Sequence, residues 1–180
     1  MTAGKRSNAL RSTLACEQLE YRDNPAGNVV AFFNGFGELL VFGDGLDNAV
    51  SIQPNEFADT IIYGVGGTTV NGQSAIYVGR GPLAGLRVEG GFGNDLLEVL
   101  GVRTPGVIVV GGGLGDDGIH VRGVVANAVG IGGWFGNDII TTTSVFVQSF
   151  AWVAGGPGFD VLDYNGIFGP QTIVEFELVV

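Results

Sequence analysis

Four glycine-rich stretches, each closed by an aspartate, recur along the second half of this chain at a nearly constant interval. They read Gly90-Gly91-Phe92-Gly93-Asn94-Asp95, Gly112-Gly113-Leu114-Gly115-Asp116-Asp117, Gly133-Trp134-Phe135-Gly136-Asn137-Asp138 and Gly155-Gly156-Pro157-Gly158-Phe159-Asp160. The closing aspartates stand 22, 21 and 22 residues apart. A fixed period of this length means one supersecondary unit stacked on copies of itself, because a single copy cannot bury its apolar face.

Around each stretch the sequence reads strand, turn, strand. Leu39/Val41, Leu86/Val88, Ile108/Val110, Val129/Ile131 and Ala151/Val153 precede the turns. Val50/Ile52, Leu97/Val99, Ile119/Val121, Ile140/Thr142 and Leu162/Tyr164 follow them. Residues two apart point to the same side of a strand, so stacking turns these pairs into continuous inward columns. Between the second set stand Ser51, Glu98, His120, Thr141 and Asp163, mostly polar, as an outward column in water should be. The pattern predicts an all-β, right-handed parallel β-helix or β-roll solenoid of about six coils, each of ~22 residues.

The first copy, Gly43-Asp44-Gly45-Leu46-Asp47-Asn48, is degenerate. It places Asn48 at the Asp95 position, 47 residues earlier, which leaves room for two coils. Asn71-Gly72, between Thr69-Val70 and Ala75-Ile76-Tyr77-Val78, is a hairpin-turn signal. A hairpin or a distorted coil is therefore expected over 60–80. The run Thr172 to Leu178 is expected as a last strand covering an otherwise open edge.

Residues 1–28 differ from the rest. They carry Lys5, Arg6, Arg11 and Arg22, with Leu10, Leu14 and Tyr21 near helical spacing. They read as a leader or an N-terminal capping segment, with 29–180 as the solenoid domain. Glycine reaches 33 of 180 residues, yet no Gly-X-Y period exists, so collagen is excluded. A hydrophobic share of 46% and a mean hydropathy of +0.36 exclude a disordered chain. The net charge of −10 repels nucleic acid and anionic lipid and suits a divalent cation. Cys16 is the single cysteine, so no internal disulfide forms. No apolar run approaches the ~18 residues of a membrane helix.

A coil this short turns corners every few residues, and glycine supplies the positive φ those corners need. Equivalent aspartates then stack about 4.8 Å apart. Bare carboxylates at that spacing repel by about 1–3 kcal/mol per neighbouring pair at intermediate dielectric. Something must neutralise them. Calcium, which takes six to eight oxygens, is one solution; a side-chain hydrogen-bond ladder without an ion is the other.

At these residues the chain resembles the RTX family of calcium-binding repeats, with unit Gly-Gly-x-Gly-x-Asp-x-U-x and U a large apolar residue. Gly90 to Glu98, Gly112 to His120 and Gly155 to Asp163 match it, with Leu97, Ile119 and Leu162 at U. The third copy departs, with Trp134 at the second glycine, and the period departs from the nine-residue family unit. The resemblance implies calcium held between coils by Asp95, Asp117, Asp138 and Asp160, with Asp116 beside them. Carbonyls around Gly91, Gly93, Gly113, Gly115, Gly136 and Gly158 would complete the shell. It implies a calcium-stabilised, non-catalytic module of an exported or surface protein, extracellular in location, with a cell-surface glycan or a protein as further partner. Leu19 to Ala26 also resembles the Leu-Glu-x-Arg-x-x-Pro-Ala segment near the start of many exported bacterial proteins. The end Glu177-Leu178-Val179-Val180 is similar to the tail of some secretion substrates, or is simply an end strand.

Parallel β-helices also host glycan lyases and hydrolases. His120, the single histidine, shares its outward column with Glu98 and Asp163, an arrangement open to acid–base use or to plain solvation. No nucleophile elbow, P-loop or HExxH motif is present, and no enzyme is expected. Trp134, Phe135, Phe146 and Trp152 are read as packing residues, with sugar stacking as the alternative.

Overall fold

The computed structural model describes residues 26–180. The expected capping segment lies outside the described residues except for its last three. Fifteen strands and no helix make up the described chain: β1 (Asn28–Phe33), β2 (Glu38–Phe42), β3 (Ala49–Pro54), β4 (Asp59–Gly64), β5 (Thr69–Val70), β6 (Ala75–Arg80), β7 (Gly85–Phe92), β8 (Leu96–Leu100), β9 (Val107–Leu114), β10 (Gly118–Arg122), β11 (Val125–Phe135), β12 (Ile139–Ala154), β13 (Val161–Phe168), β14 (Gln171–Val174) and β15 (Leu178–Val179). No helix among the described residues is long and apolar enough to cross a membrane.

From β7 onward the strands stack in parallel. One face runs β2, β7, β9, β11 and the second half of β12, then β14. The other runs β3, β8, β10, the first half of β12, then β13 and β15. A short third face is marked by the Arg103–Val125 bridge and the Val125–Phe146–Phe168 register. The stack is a β-solenoid.

The register joins the pairs the sequence pointed to. Leu39, Leu86, Ile108, Val129 and Ala151 face one another coil by coil, as do Val50, Leu97, Ile119, Ile140 and Leu162. All ten are buried, forming one continuous core. Complete burial of one such aliphatic side chain contributes about 1.5–3 kcal/mol, so the columns hold the coils together along their whole length. The repeating period also keeps the two faces in register, because a one-residue slip would send every inward side chain out to solvent.

The expectation of six coils is not confirmed. The solenoid makes about four turns. β2 and β3 already stack in parallel on β7 and β8, but the rest of the chain before Gly85 does not continue that path. Instead β1 pairs antiparallel with β2, β4 with β3, and β6 with β4. The physical reason is turn chemistry. Asn71 and Gly72 both take positive φ, 52° and 76°, and Val70 and Gln73 exchange backbone hydrogen bonds across them. That two-residue reversal turns the chain between β5 and β6. The β1–β2 and β3–β4 reversals use another turn, at Asn34–Gly37 and Asn55–Ala58, where Gly37 (78°) and Ala58 (61°) are left-handed and each Asn Oδ1 accepts two backbone N–H groups. The expected single end strand also differs. The chain bends at Glu175–Glu177, so β14 and β15 follow the two faces of the coil below.

Candidate functional site

The glycine-aspartate turns form one edge of the solenoid, between the two long faces. Their glycines serve two distinct needs. Second and fourth positions lie in the left-handed region: Gly91 at 106°, Gly93 at 110°, Gly113 at 124° and Gly115 at 130°. First positions do not, yet a Cβ on Gly90, Gly112, Gly133 or Gly155 would collide with Oδ2 of the aspartate closing the same turn. The missing side chain makes room for a carboxylate folded back into its own turn.

That folding produces a ladder. The Asp95 N–H donates to Asp117 Oδ1 at 2.8 Å, the Asp117 N–H to Asp138 Oδ1 at 2.8 Å, and the Asp138 N–H to Asp160 Oδ1 at 2.8 Å. The ends are closed by different residues. Asn48 donates to Asp95 Oδ1 at 2.7 Å, and Asp160 donates to Glu177 Oε2 at 2.6 Å. Asn48 thus stands at the aspartate position, as the 47-residue alignment requires. Each N–H to a carboxylate is a charge-assisted bond when the acid is ionised.

A second ladder lies outside the first and runs the other way. Asn94 donates to Asp47 Oδ1, Asp116 to Asn94 Oδ1 and Asn137 to Asp116 Oδ1, each at 2.8 Å, and Phe159 donates to Asn137 Oδ1 at 3.0 Å. Sequence reasoning caught Asp116 alone of these, and read it as a metal ligand. The signal was present: a short side-chain acceptor precedes three of the four closing aspartates at the same spacing.

The inner carboxylates are sealed. Asp95, Asp117, Asp138 and Asp160 are each 0–3% exposed, and the Oδ2 of each has no hydrogen-bond partner. Burial therefore favours the protonated acid. It pushes Asp117 up to about 7, helped by the charges of Asp95, Asp138 and Asp116. Burial likewise pushes Asp138 up to about 6, with Asp160 and Asp116 adding to it. Asp95 and Asp160 are raised for the same leading reason.

The structure brings the four aspartates into one column, with the named glycines around them. Each Oδ1 takes a backbone N–H. The carbonyl oxygens of Gly91, Gly93, Gly115 and Gly136 occupy the space a Cβ would need on Gly113, Gly115, Gly136 and Gly158, one coil on. Among the described residues, no three His, Cys, Asp or Glu side chains are grouped to hold a metal. A calcium shell needs six to eight oxygens at 2.3–2.6 Å; here each aspartate has one oxygen already bonded to a backbone N–H and one without a partner.

The other candidates lie apart. His120 Nδ1 and Glu98 Oε1 are 3.5 Å apart on an open face, with side chains 42% and 30% exposed. Asp163 is two coils beyond His120 on the same face and accepts from Asn165 at 2.6 Å. A cavity of about 550 Å³ between the β3–β4 turn and Gly101–Arg103 has Arg103 as its one charged lining residue among the described side chains. Compared with protein-family models, curated proteins and solved structures, the chain matches none. The likeness to calcium-binding repeats therefore rests on the turn motif alone.

Proposed function

We propose that this chain is a non-catalytic β-solenoid module of an exported or surface protein, whose acid column is held together by backbone N–H groups and retained protons. One observation supports this above the others. Five successive backbone-to-carboxyl bonds run through the column while each aspartate's second oxygen is buried without a partner. A carboxyl in that position keeps its proton at a pH where a solvated one has lost it. A protonated column removes the coil-to-coil repulsion that bare aspartates would create. In function the module presents its outer faces on a stiff rod, and the turn edge sets the rod's pH range.

The second reading keeps calcium as the neutralising partner and the module as extracellular. It is favoured by the four unpartnered Oδ2 atoms in line and by the net charge of −10. Thermal melting separates the two. A proton-held column melts higher at pH 5 than at pH 8, and calcium does not move it. A midpoint that rises steeply with millimolar calcium at pH 8, and falls back with chelator, selects the calcium reading.

A further inference from the structure

The two long faces of the solenoid are alike inside and unlike outside. Ser51, Glu98, His120, Thr141 and Asp163 stand side by side down the outer surface of one. They are polar, as a sheet face in water normally is. On the other face Leu39, Val41, Leu86 and Val88 point inward and are buried, so the residues between and beyond them point out. One outward column there reads Leu40, Arg87, Val109, Gly130, Trp152 and Thr172. The next, nearer the turns, reads Phe42, Glu89, Gly111, Gly132, Ala154 and Val174. β1 extends both, with Phe32 beside Leu40 and Val30 beside Phe42.

These columns leave apolar surface in water. Val30, Phe32 and Trp152 are 47%, 47% and 38% exposed. Their one pair of charges is Arg87 with Glu89, 3.0 Å apart, so the columns are neutral while the chain carries −10. Strands spaced about 4.8 Å apart, rising about 3.3 Å per residue, give this face roughly 20 Å by 30 Å. Covered by a like face it would remove about 1,200 Å² in all, the size at which specific, stable interfaces begin. An apolar area this large and continuous marks a contact with another macromolecule. The negative chain repels anionic lipid, and the columns offer a glycan few polar groups for its hydroxyls.

The pattern of the two columns matches itself. A two-fold axis lying in the interface along the stack, midway between the columns, reverses strand direction and keeps the coils level. It sets Arg87 of each copy against the partner's Glu89, closing two ion pairs into one ring. The same axis sets Leu40 against the partner's Phe42 and Trp152 against the partner's Ala154, so apolar meets apolar. Moving the axis onto the first column would set Arg87 against the partner's Arg87, and like charges so opposed are costly. The charges therefore allow one register and penalise its neighbour. We infer that this face joins two copies of the chain in a face-to-face, two-fold dimer, with the Arg87–Glu89 ring fixing its register. The two sheets would pack about 10 Å apart, as in a β-sandwich.

The test is sedimentation velocity on the full chain from nanomolar to high micromolar concentration. A species of twice 18.6 kDa is expected, dissociating on dilution. Trp152→Glu should weaken dimerisation at least about 30-fold. Its melting point, taken where both proteins are monomeric, checks that it folds. Charge reversal tests the register. Arg87→Glu and Glu89→Arg each oppose like charges and should each weaken self-association about tenfold or more. Mixed one to one they oppose unlike charges again and should form a heterodimer that neither forms alone. The ion pair within one chain gives no such rescue on mixing. A chain monomeric at every concentration, a dimer that Trp152→Glu leaves intact, or single variants that stay apart on mixing would overturn the proposal. So would a monomer that binds phosphatidylcholine vesicles or cello-oligosaccharides and loses that binding in Trp152→Glu, because lipid or glycan would then be the occupant.

Discussion

Asp117→Asn makes the protonated state of one rung permanent, and its effect follows from the geometry. The amide oxygen keeps the bond from the Asp95 N–H, now at 2.8 Å, and the amide nitrogen takes the place of the sealed Oδ2. Each pKa unit is about 1.4 kcal/mol. Carrying the Asp117 carboxyl from an ordinary 3.8 to about 7 therefore bounds the cost of ionising it in place at about 4 kcal/mol. Protons shared along four coupled acids, and water at the rim of the turns, reduce what one substitution recovers to about 1–2 kcal/mol. The sign is fixed by the direction of the shift. Between about pH 4 and pH 7 the folded chain holds a proton that the unfolded chain has released. Stability therefore falls as pH rises through that window and levels off above it. Asparagine has no proton to lose, so the variant should melt roughly 2–8 °C above the parent at pH 8 and level with it near pH 4. The assay is melting by circular dichroism with chelator present throughout. A variant that melts below the parent at pH 8, or that gains equally at both pH values, refutes the protonated column.

Other outcomes follow from the same structure. The parent's own melting point should decline between pH 4 and pH 7, and Asp138→Asn should flatten that decline mainly below about pH 6, where its carboxyl titrates. Gly112→Ala drives a methyl into Asp117 Oδ2 and should cost about 2–3 kcal/mol in urea unfolding, whereas Gly130→Ala, with nothing within 4 Å of the added carbon, should change stability by less than about 0.5 kcal/mol. Ile119→Ala opens a hole in a fully buried column and should cost about 2–5 kcal/mol. Asn137→Ala removes the acceptor for the Phe159 N–H on the exposed ladder and should cost about 0.5–1.5 kcal/mol, independent of pH.

Much of the architecture was legible in the sequence because its information is periodic. The alternation of Ile108 with Val110 and of Ile119 with Val121, repeated at one interval, leaves a stacked coil as the arrangement that buries all of them. The four aspartates had to align for the same reason, and they do. The coil count was not legible. Residues before Gly85 carry similar apolar pairs; Asn71–Gly72 was readable there as a hairpin turn, but the reversals at Asn34–Gly37 and Asn55–Ala58 that pair β1 with β2 and β3 with β4 antiparallel were not. The second ladder was half legible, since Asn94, Asp116 and Asn137 share a position, but their direction of bonding was not.

The sequence by itself determined the period, the two inward columns and the single acidic edge, because each is a matter of spacing along the chain. Tertiary structure decided where the charge goes. Whether an aspartate faces an ion, water or its neighbour's N–H depends on how closely successive turns stack. Here the first glycine of each turn lets the carboxyl fold inward, where one oxygen meets a backbone donor and the other meets nothing. Three-dimensional packing also placed Trp134, Trp152 and Glu175, separated by 18 and 23 residues in sequence, around one strip of bare backbone. No one-dimensional pattern contains that meeting, because it depends on residues from three successive coils lining one cavity.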